Sequence, residues 1–271
     1  MDTRIRATVE TRTLQQSIYL PASPHDVFEA LADEKRHAAF TGQKVTLERK
    51  VGGAFSGFGG NVSGKITAIE PDKRLAMSWR TRGWQPGYYS GLELTLAPLL
   101  DGRWTELTLV QSEIPANAFD ESSAAWRDLY WVKLAPYLRE QAMAPVTQFV
   151  DEFKNGAKFD AIDETWAKNA ILHVTGFDVP PGREGQKKMG HMTFDAFGDL
   201  KAVTAMRFVD GDMVAERAEV SAVHKGDFMG VPATGKKIHW TENHIYRIAD
   251  GRIAEAWSEV SFNDLLKQVK G

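Results

Sequence analysis

The chain has 271 residues, 43% of them apolar and 25% charged, with a formal net charge of −3 and no cysteine. That length buries one large core or two ordinary ones, the mild negative charge gives no basic surface for nucleic acid, and the missing thiols exclude disulfides and thiolate metal sites. The opening MDTRIRATVETR lacks the apolar centre of a secretion signal and no apolar run reaches membrane-spanning length, so the expectation is a cytoplasmic protein without a membrane partner.

In chain order, residues 13–20 alternate and predict a strand. Prolines from Pro21 to Pro24 lead into a short helix over 25–31, and a second helical stretch covers 34–40. Three further strands have period two, carrying Val62, Ile66 and Ala68, then Leu75, Met77 and Trp79, then Leu92, Leu94 and Leu96. Turns at Pro71-Asp72 and Asp101-Gly102 join them into an antiparallel meander. Over 122–141, Trp126, Leu129, Tyr130, Leu134, Tyr137 and Leu138 recur at helical spacing, and Pro136 is expected to kink that helix. A long helix against a twisted sheet is expected to leave a cavity. Trp79 and Trp126 would contact a ligand there, with Trp84 and Tyr88 at the mouth beside the turn Gln85-Pro86-Gly87; the alternative for this aromatic set is core packing. Arg80 and Arg82 either bind an anionic head group or are solvated, and His25 and His37 read as surface histidines.

The stretch VGGAFSGFGGNVSGKITAIEPDKRLAMSWRTRGWQPGYYSGLELTL, with residues 126–130 later, resembles the homology domain of activators of the heat-shock chaperone ATPase, in the START-like (SRPBCC) group. The resemblance implies a helix-grip domain over 10–143 that holds an apolar ligand. It also keeps open a chaperone-ATPase cofactor, although the family's chaperone work uses a further domain with no counterpart in the sequence, and a chaperone partner is not expected.

After a junction at 141–145, helical periodicity restarts with Val146, Phe149, Val150 and Phe153 and stops at Gly156. Phe159, Ile162 and Trp166 mark another short helix, followed by a strand at 170–174 and a helix at 184–197. Four strands complete the chain at 201–209, 213–224, 237–248 and 252–262, with hairpin turns at Asp210-Gly211 and Asp250-Gly251. Residues 230–236 fit G-x-x-x-x-G-K, but Lys237 follows where a phosphate loop needs Ser or Thr, and a strand follows where it needs a helix. No H-E-x-x-H or G-x-S-x-G motif occurs, so no metal and no cofactor are expected.

GDFMGVPATGKK, followed by YRIADGRIAEAW, resembles the SnoaL-like polyketide cyclases. The resemblance implies an α+β cone over 145–271 with a pocket at its wide end and a homodimer through the outer sheet face. It places the family's strand histidine on His244 and its last-strand aspartate on Ser258. That departure matters, because a hydroxyl cannot replace a carboxylate as base. Glu259 points to the opposite face, whereas Glu242 shares the face of His244 and can stand in. His244 and Glu242 are thus the candidate catalytic pair, with His173, Trp240, Tyr246 and Ser258 as substrate contacts. His244 is alternatively a hydrogen-bonded structural residue, and His224 is expected to tie down the loop after it. The fold class is α+β, a helix-grip START-like domain followed by a SnoaL-like cone. The expected function is binding, with acid-base isomerisation or cyclisation, of a hydrophobic oxygenated small molecule that is polyketide-like or aromatic. The alternatives are a ligand-binding or sensing protein without turnover and the chaperone cofactor.

Overall fold

The computed structural model describes residues 9–270, so most of the N-terminal stretch read for a secretion signal lies outside them. The chain divides into two compact units, Met1–Arg139 and Glu140–Gly271. Among the described residues no helix is long and apolar enough to cross a membrane.

The first unit runs β1 (Thr11–Leu20), α1 (Pro24–Ala32), α2 (Glu34–Thr41), β2 (Thr46–Leu47), β3 (Ala54–Gly57), β4 (Val62–Glu70), β5 (Arg74–Thr81), β6 (Ser90–Leu99) and β7 (Trp104–Pro115). Ser23 caps α1 by accepting from the Asp26 amide, with Pro24 in the first turn, and Asp33 caps α2 by accepting from the Lys35 and Arg36 amides. The strands form one antiparallel sheet in the order β1-β7-β6-β5-β4-β3-β2. β7 closes the meander by pairing with β1 on one side and β6 on the other.

Rings fill the space between sheet and helix. Phe55 lies 5.3 Å from Trp79, Trp79 lies 4.9 Å from Trp126, and Trp126 lies 4.5 Å from Tyr130, centroid to centroid. Buried Gln111 accepts from the Trp126 indole at 2.8 Å and donates to Ser90, which in turn donates to the Trp79 carbonyl. Trp79, Trp84 and Trp126 belong to the buried core cluster of this unit, the packing alternative for this aromatic set. Tyr88 donates its hydroxyl to the Glu113 carbonyl, and its ring meets Trp84 edge-on. Arg80 and Arg82 each donate from one guanidinium nitrogen to backbone carbonyls, of Trp84 and of Gly59 and Gly60. His37 is also a correction: it is buried, bonded through Nδ1 to the Leu31 carbonyl, with its Nε2 unpartnered.

No break in the helix accompanies the junction expected at 141–145. The chain is helical from α3 (Phe119–Ala125) through a π-turn at Trp126–Trp131, α4 (Val132–Gln148) and a second π-turn at Phe149–Lys154. Pro136 and Pro145 both lie inside α4. Each proline removes one backbone hydrogen bond, and burial of Leu134, Leu138, Val146 and Phe149 on the same run outweighs that loss.

The second unit continues with α5 (Asp160–Thr165), β8 (Trp166–Val174), α6 (Arg183–Ala196), β9 (Phe197–Asp210), β10 (Met213–His224), β11 (Lys237–Ala249), β12 (Arg252–Val260) and α7 (Phe262–Lys270). Its sheet has the order β8-β12-β11-β10-β9, with β8 parallel to β12 and every other pair antiparallel. Register shifts between β9 and β10 bend the sheet. The sequence reading ran the last strand to Phe262. The strand instead ends at Val260, and α7 buries Leu265 and Val269 while Gln268 bonds both backbone groups of His239.

Candidate functional site

Cross-strand register builds one polar row on the concave face of the second sheet. Arg207 pairs with Glu216, Glu216 with His244, and His244 with Ser258. Apolar rows lie on both sides, Val209-Val214-Tyr246-Ala256 on one and Ala202-Val220-Trp240 beyond Glu242 on the other. Period two puts Trp240, Glu242, His244 and Tyr246 of β11 on one face, where they line a cavity of about 450 Å³. The cavity lies between two apolar clusters, one containing Phe149, Phe153 and Trp166 and the other Phe197, Val220 and Leu265.

Lys154, the last residue of the second π-turn, brings its side chain to this row. The Asn155 side chain fixes that turn by bonding both backbone groups of Ala202 on β9. Gly190 on α6 lets Phe153 approach, because a Cβ there would stand 2.5 Å from the ring. The Lys154 ammonium donates to Glu242 Oε2 at 2.7 Å and stands 2.9 Å from His244 Nε2. His244 Nε2 is 2.9 Å from the same carboxylate oxygen, and its Nδ1 is 2.9 Å from Ser258 Oγ. The Trp240 indole donates to the other Glu242 oxygen.

Burial alone pushes the Glu242 carboxyl up, but the Lys154 charge and the His244 hydrogen bond outweigh it and hold the group well below the usual carboxylate range. Burial first, and then the Lys154 charge, push the His244 imidazole below its ordinary value, although Glu242 and Glu216 oppose them. With its proton on Nδ1, the neutral imidazole accepts at Nε2 and donates to Ser258; with its proton on Nε2, it donates to Glu242 and accepts from Ser258. Such an imidazole can take a proton from a ligand in the cavity. Glu216 Oε1 accepts from Arg207 at 2.5 Å and from Thr204 at 2.6 Å, while its buried Oε2 has no hydrogen-bond partner.

His244, Glu242, Trp240, Tyr246 and Ser258 all line the cavity. His173 does not, which corrects its assignment as a substrate contact. Its neighbours Leu172 and Val174 face the cavity, so alternation turns His173 outward, where it bonds Glu255 and stacks on Trp257. Glu259 points away and accepts from Thr175. His224 is buried under the following loop and bonded to Thr234. Lys154 was missed, although it lies four residues after Val150 on the apolar stripe, and a lysine on such a stripe is itself a signal. Among the described residues no group of His, Asp and Glu has the arrangement of a metal site.

Comparison with known proteins divides at the same place as the fold. Residues 21–139 match the family model described as Activator of Hsp90 ATPase homolog 1-like protein, and residues 144–269 match SnoaL-like polyketide cyclase. The activator of 90 kDa heat shock protein ATPase homolog of Dictyostelium discoideum is 29% identical over 118 residues, 43% of this chain and 30% of that protein. Human activator of 90 kDa heat shock protein ATPase homolog 1 is 32% identical over 109 residues, 40% of this chain and 32% of that protein. The chain thus spans about a third of the length of these curated relatives. IdmH of Streptomyces antibioticus, a solved structure assigned as a polyketide cyclase, is 30% identical with a TM-score of 0.44, covering 48% of this chain and 99% of that one.

Proposed function

We propose that the second unit binds a hydrophobic, oxygenated small molecule, polyketide-like or aromatic, and isomerises or cyclises it by acid-base chemistry without a cofactor. The observation that carries this reading is the concentration of a proton acceptor and a proton donor in one cluster in a largely apolar cavity. A cavity of about 450 Å³ falls in the range that encloses small metabolites. In this reading His244 takes a proton from carbon next to a carbonyl, Glu242 and Ser258 hold its ring, and Trp240 and Tyr246 shape the pocket. The chain works in the cytoplasm.

Native mass spectrometry of protein purified from its own host should find a retained apolar ligand. His244→Ala should keep the fold and lower turnover of that ligand by about 10²- to 10⁴-fold. Ser258→Asp, which sets a carboxylate against Nδ1, should raise turnover. Unchanged turnover in His244→Ala would sink the catalytic assignment. Tight binding with no turnover in the parent or in Ser258→Asp would favour a second reading, a binding or sensing protein, which the hydroxyl at Ser258 supports. The match over 21–139 supports a separate chaperone-cofactor reading for the first unit. That reading falls if the protein leaves the heat-shock chaperone's ATPase rate unchanged.

A further inference from the structure

Three polar atoms at the cavity form a triangle that one proton arrangement cannot satisfy. Lys154 Nζ, Glu242 Oε2 and His244 Nε2 stand 2.7, 2.9 and 2.9 Å apart, every edge within hydrogen-bonding reach. With the imidazole neutral and its proton on Nδ1, Nζ gives one N–H to the carboxylate and another to Nε2, and the edge between Nε2 and Oε2 joins two acceptors. With Nε2 protonated, that edge becomes a charge-assisted hydrogen bond from imidazolium to carboxylate. The Lys154 N–H that pointed at Nε2 then has no acceptor within the triangle. The Nδ1–H to Ser258 persists in both arrangements. One proton gained by His244 thus releases one ammonium N–H.

We propose that Lys154 is the oxyanion-holding residue of this cavity, and that the site takes weakly acidic enols and phenols and binds them as their anions. This rests on the reading of the cavity as a small-molecule site. In the step proposed, the ligand O–H bond breaks and its electron pair stays on oxygen. Lys154 passes the proton of the N–H that faces Nε2 to the imidazole, giving an Nε2–H held by Glu242, and the ligand proton replaces it on Nζ, whose N–H then donates to the ligand oxygen. Before the step Lys154 and Glu242 carry opposite charges and the imidazole and ligand are neutral. After it, two cations face two anions. The net charge stays at zero, so no uncompensated charge is buried.

Of the other charged groups, two are paired with each other and two are exposed carboxylates. Arg207 and Glu216, on β9 and β10, are paired with each other. Asp227, on the loop before β11, lines the cavity and accepts from the Gly230 amide, and Asp195 lines it from α6. The rings of Phe153, Trp166, Phe194 and Phe197 give a planar ligand apolar walls.

The test uses 4-nitrophenol, whose ionisation is visible by absorbance, and 4-nitroanisole, the same ring with its oxygen capped. Binding of each is read by equilibrium dialysis, and ionisation of the bound phenol by pH titration. Bound to the parent, 4-nitrophenol should ionise about one to three pH units below the free probe, as an adjacent cation dictates. Lys154→Arg should keep a shift in the same direction, and Lys154→Met should lose it. Lys154→Met leaves the buried Glu242 carboxylate unpaired, so the double variant Lys154→Met with Glu242→Gln provides a neutral control that should bind both probes without a shift. A parent that binds the phenol with its ionisation unmoved overturns the proposal, as does a shift that survives in the double variant. If 4-nitroanisole binds and 4-nitrophenol does not, the oxyanion role fails and the cavity reading stands. If neither binds the parent, the cavity reading fails and takes the proposal with it.

Discussion

Burial among Phe40, Phe55 and Tyr130 pushes the His37 imidazole down to about 4, against a backbone hydrogen bond to Leu31 that raises it. Its ordinary value is about 6.5, so below that pH the unfolded chain takes a proton that the folded one refuses. The stability tied to neutral His37 is complete above about pH 6.5 and is lost as pH falls toward 4, by roughly 3 kcal/mol. Urea midpoints of the parent and His37→Gln, measured from pH 7 down to pH 4, should converge as the solution becomes more acidic. A constant gap would show that His37 carries no such linkage. From the sequence this residue read as solvated because it sits among Glu34, Lys35 and Arg36. Burial of a single position on a short charged helix is set by what packs against it, and local composition does not record that.

At the level of elements, α7 decides how one side of the cavity is closed. Leu265 and Phe262 line it, and Leu265 belongs to the apolar cluster with Trp240 and Val220. Leu265→Ala should cost about 2–5 kcal/mol in denaturant unfolding, by lost transfer energy together with the cavity left behind. A loss below about 1 kcal/mol would place α7 outside the cooperative core. The helix went unread because Ser261 alone separates it from β12, and Val260 and Phe262 continue the strand's alternation. The opposite error occurred at 141–145, where Pro145 marked a break in the pattern and tertiary burial kept the helix whole.

For the molecule as a whole, the convex face of the second sheet carries an exposed row in which cross-strand register joins His173, Trp257, Ile245, Ala215 and Phe208. Phe208 is 65% exposed, Ile245 46% and Trp257 36%, an exposed apolar stripe. If two copies of the chain pair across this stripe, Phe208→Glu should halve the mass measured by light scattering; equal masses for parent and variant would remove this interface. The sequence by itself determined the α+β class and the two families of pattern, because period two and period 3.6 are properties of consecutive residues. It also put Trp240, Glu242, His244 and Tyr246 on one face, since alternation along a single strand fixes that without any partner. Only the tertiary structure decided that Lys154 joins Glu242 and His244, that His173 faces outward, and that the tryptophans of the first unit pack against one another. Those facts depend on register between distant strands and on which helix face meets the sheet. Residues 88 and 90 positions apart, as Lys154 is from Glu242 and His244, come together through the fold and not through spacing.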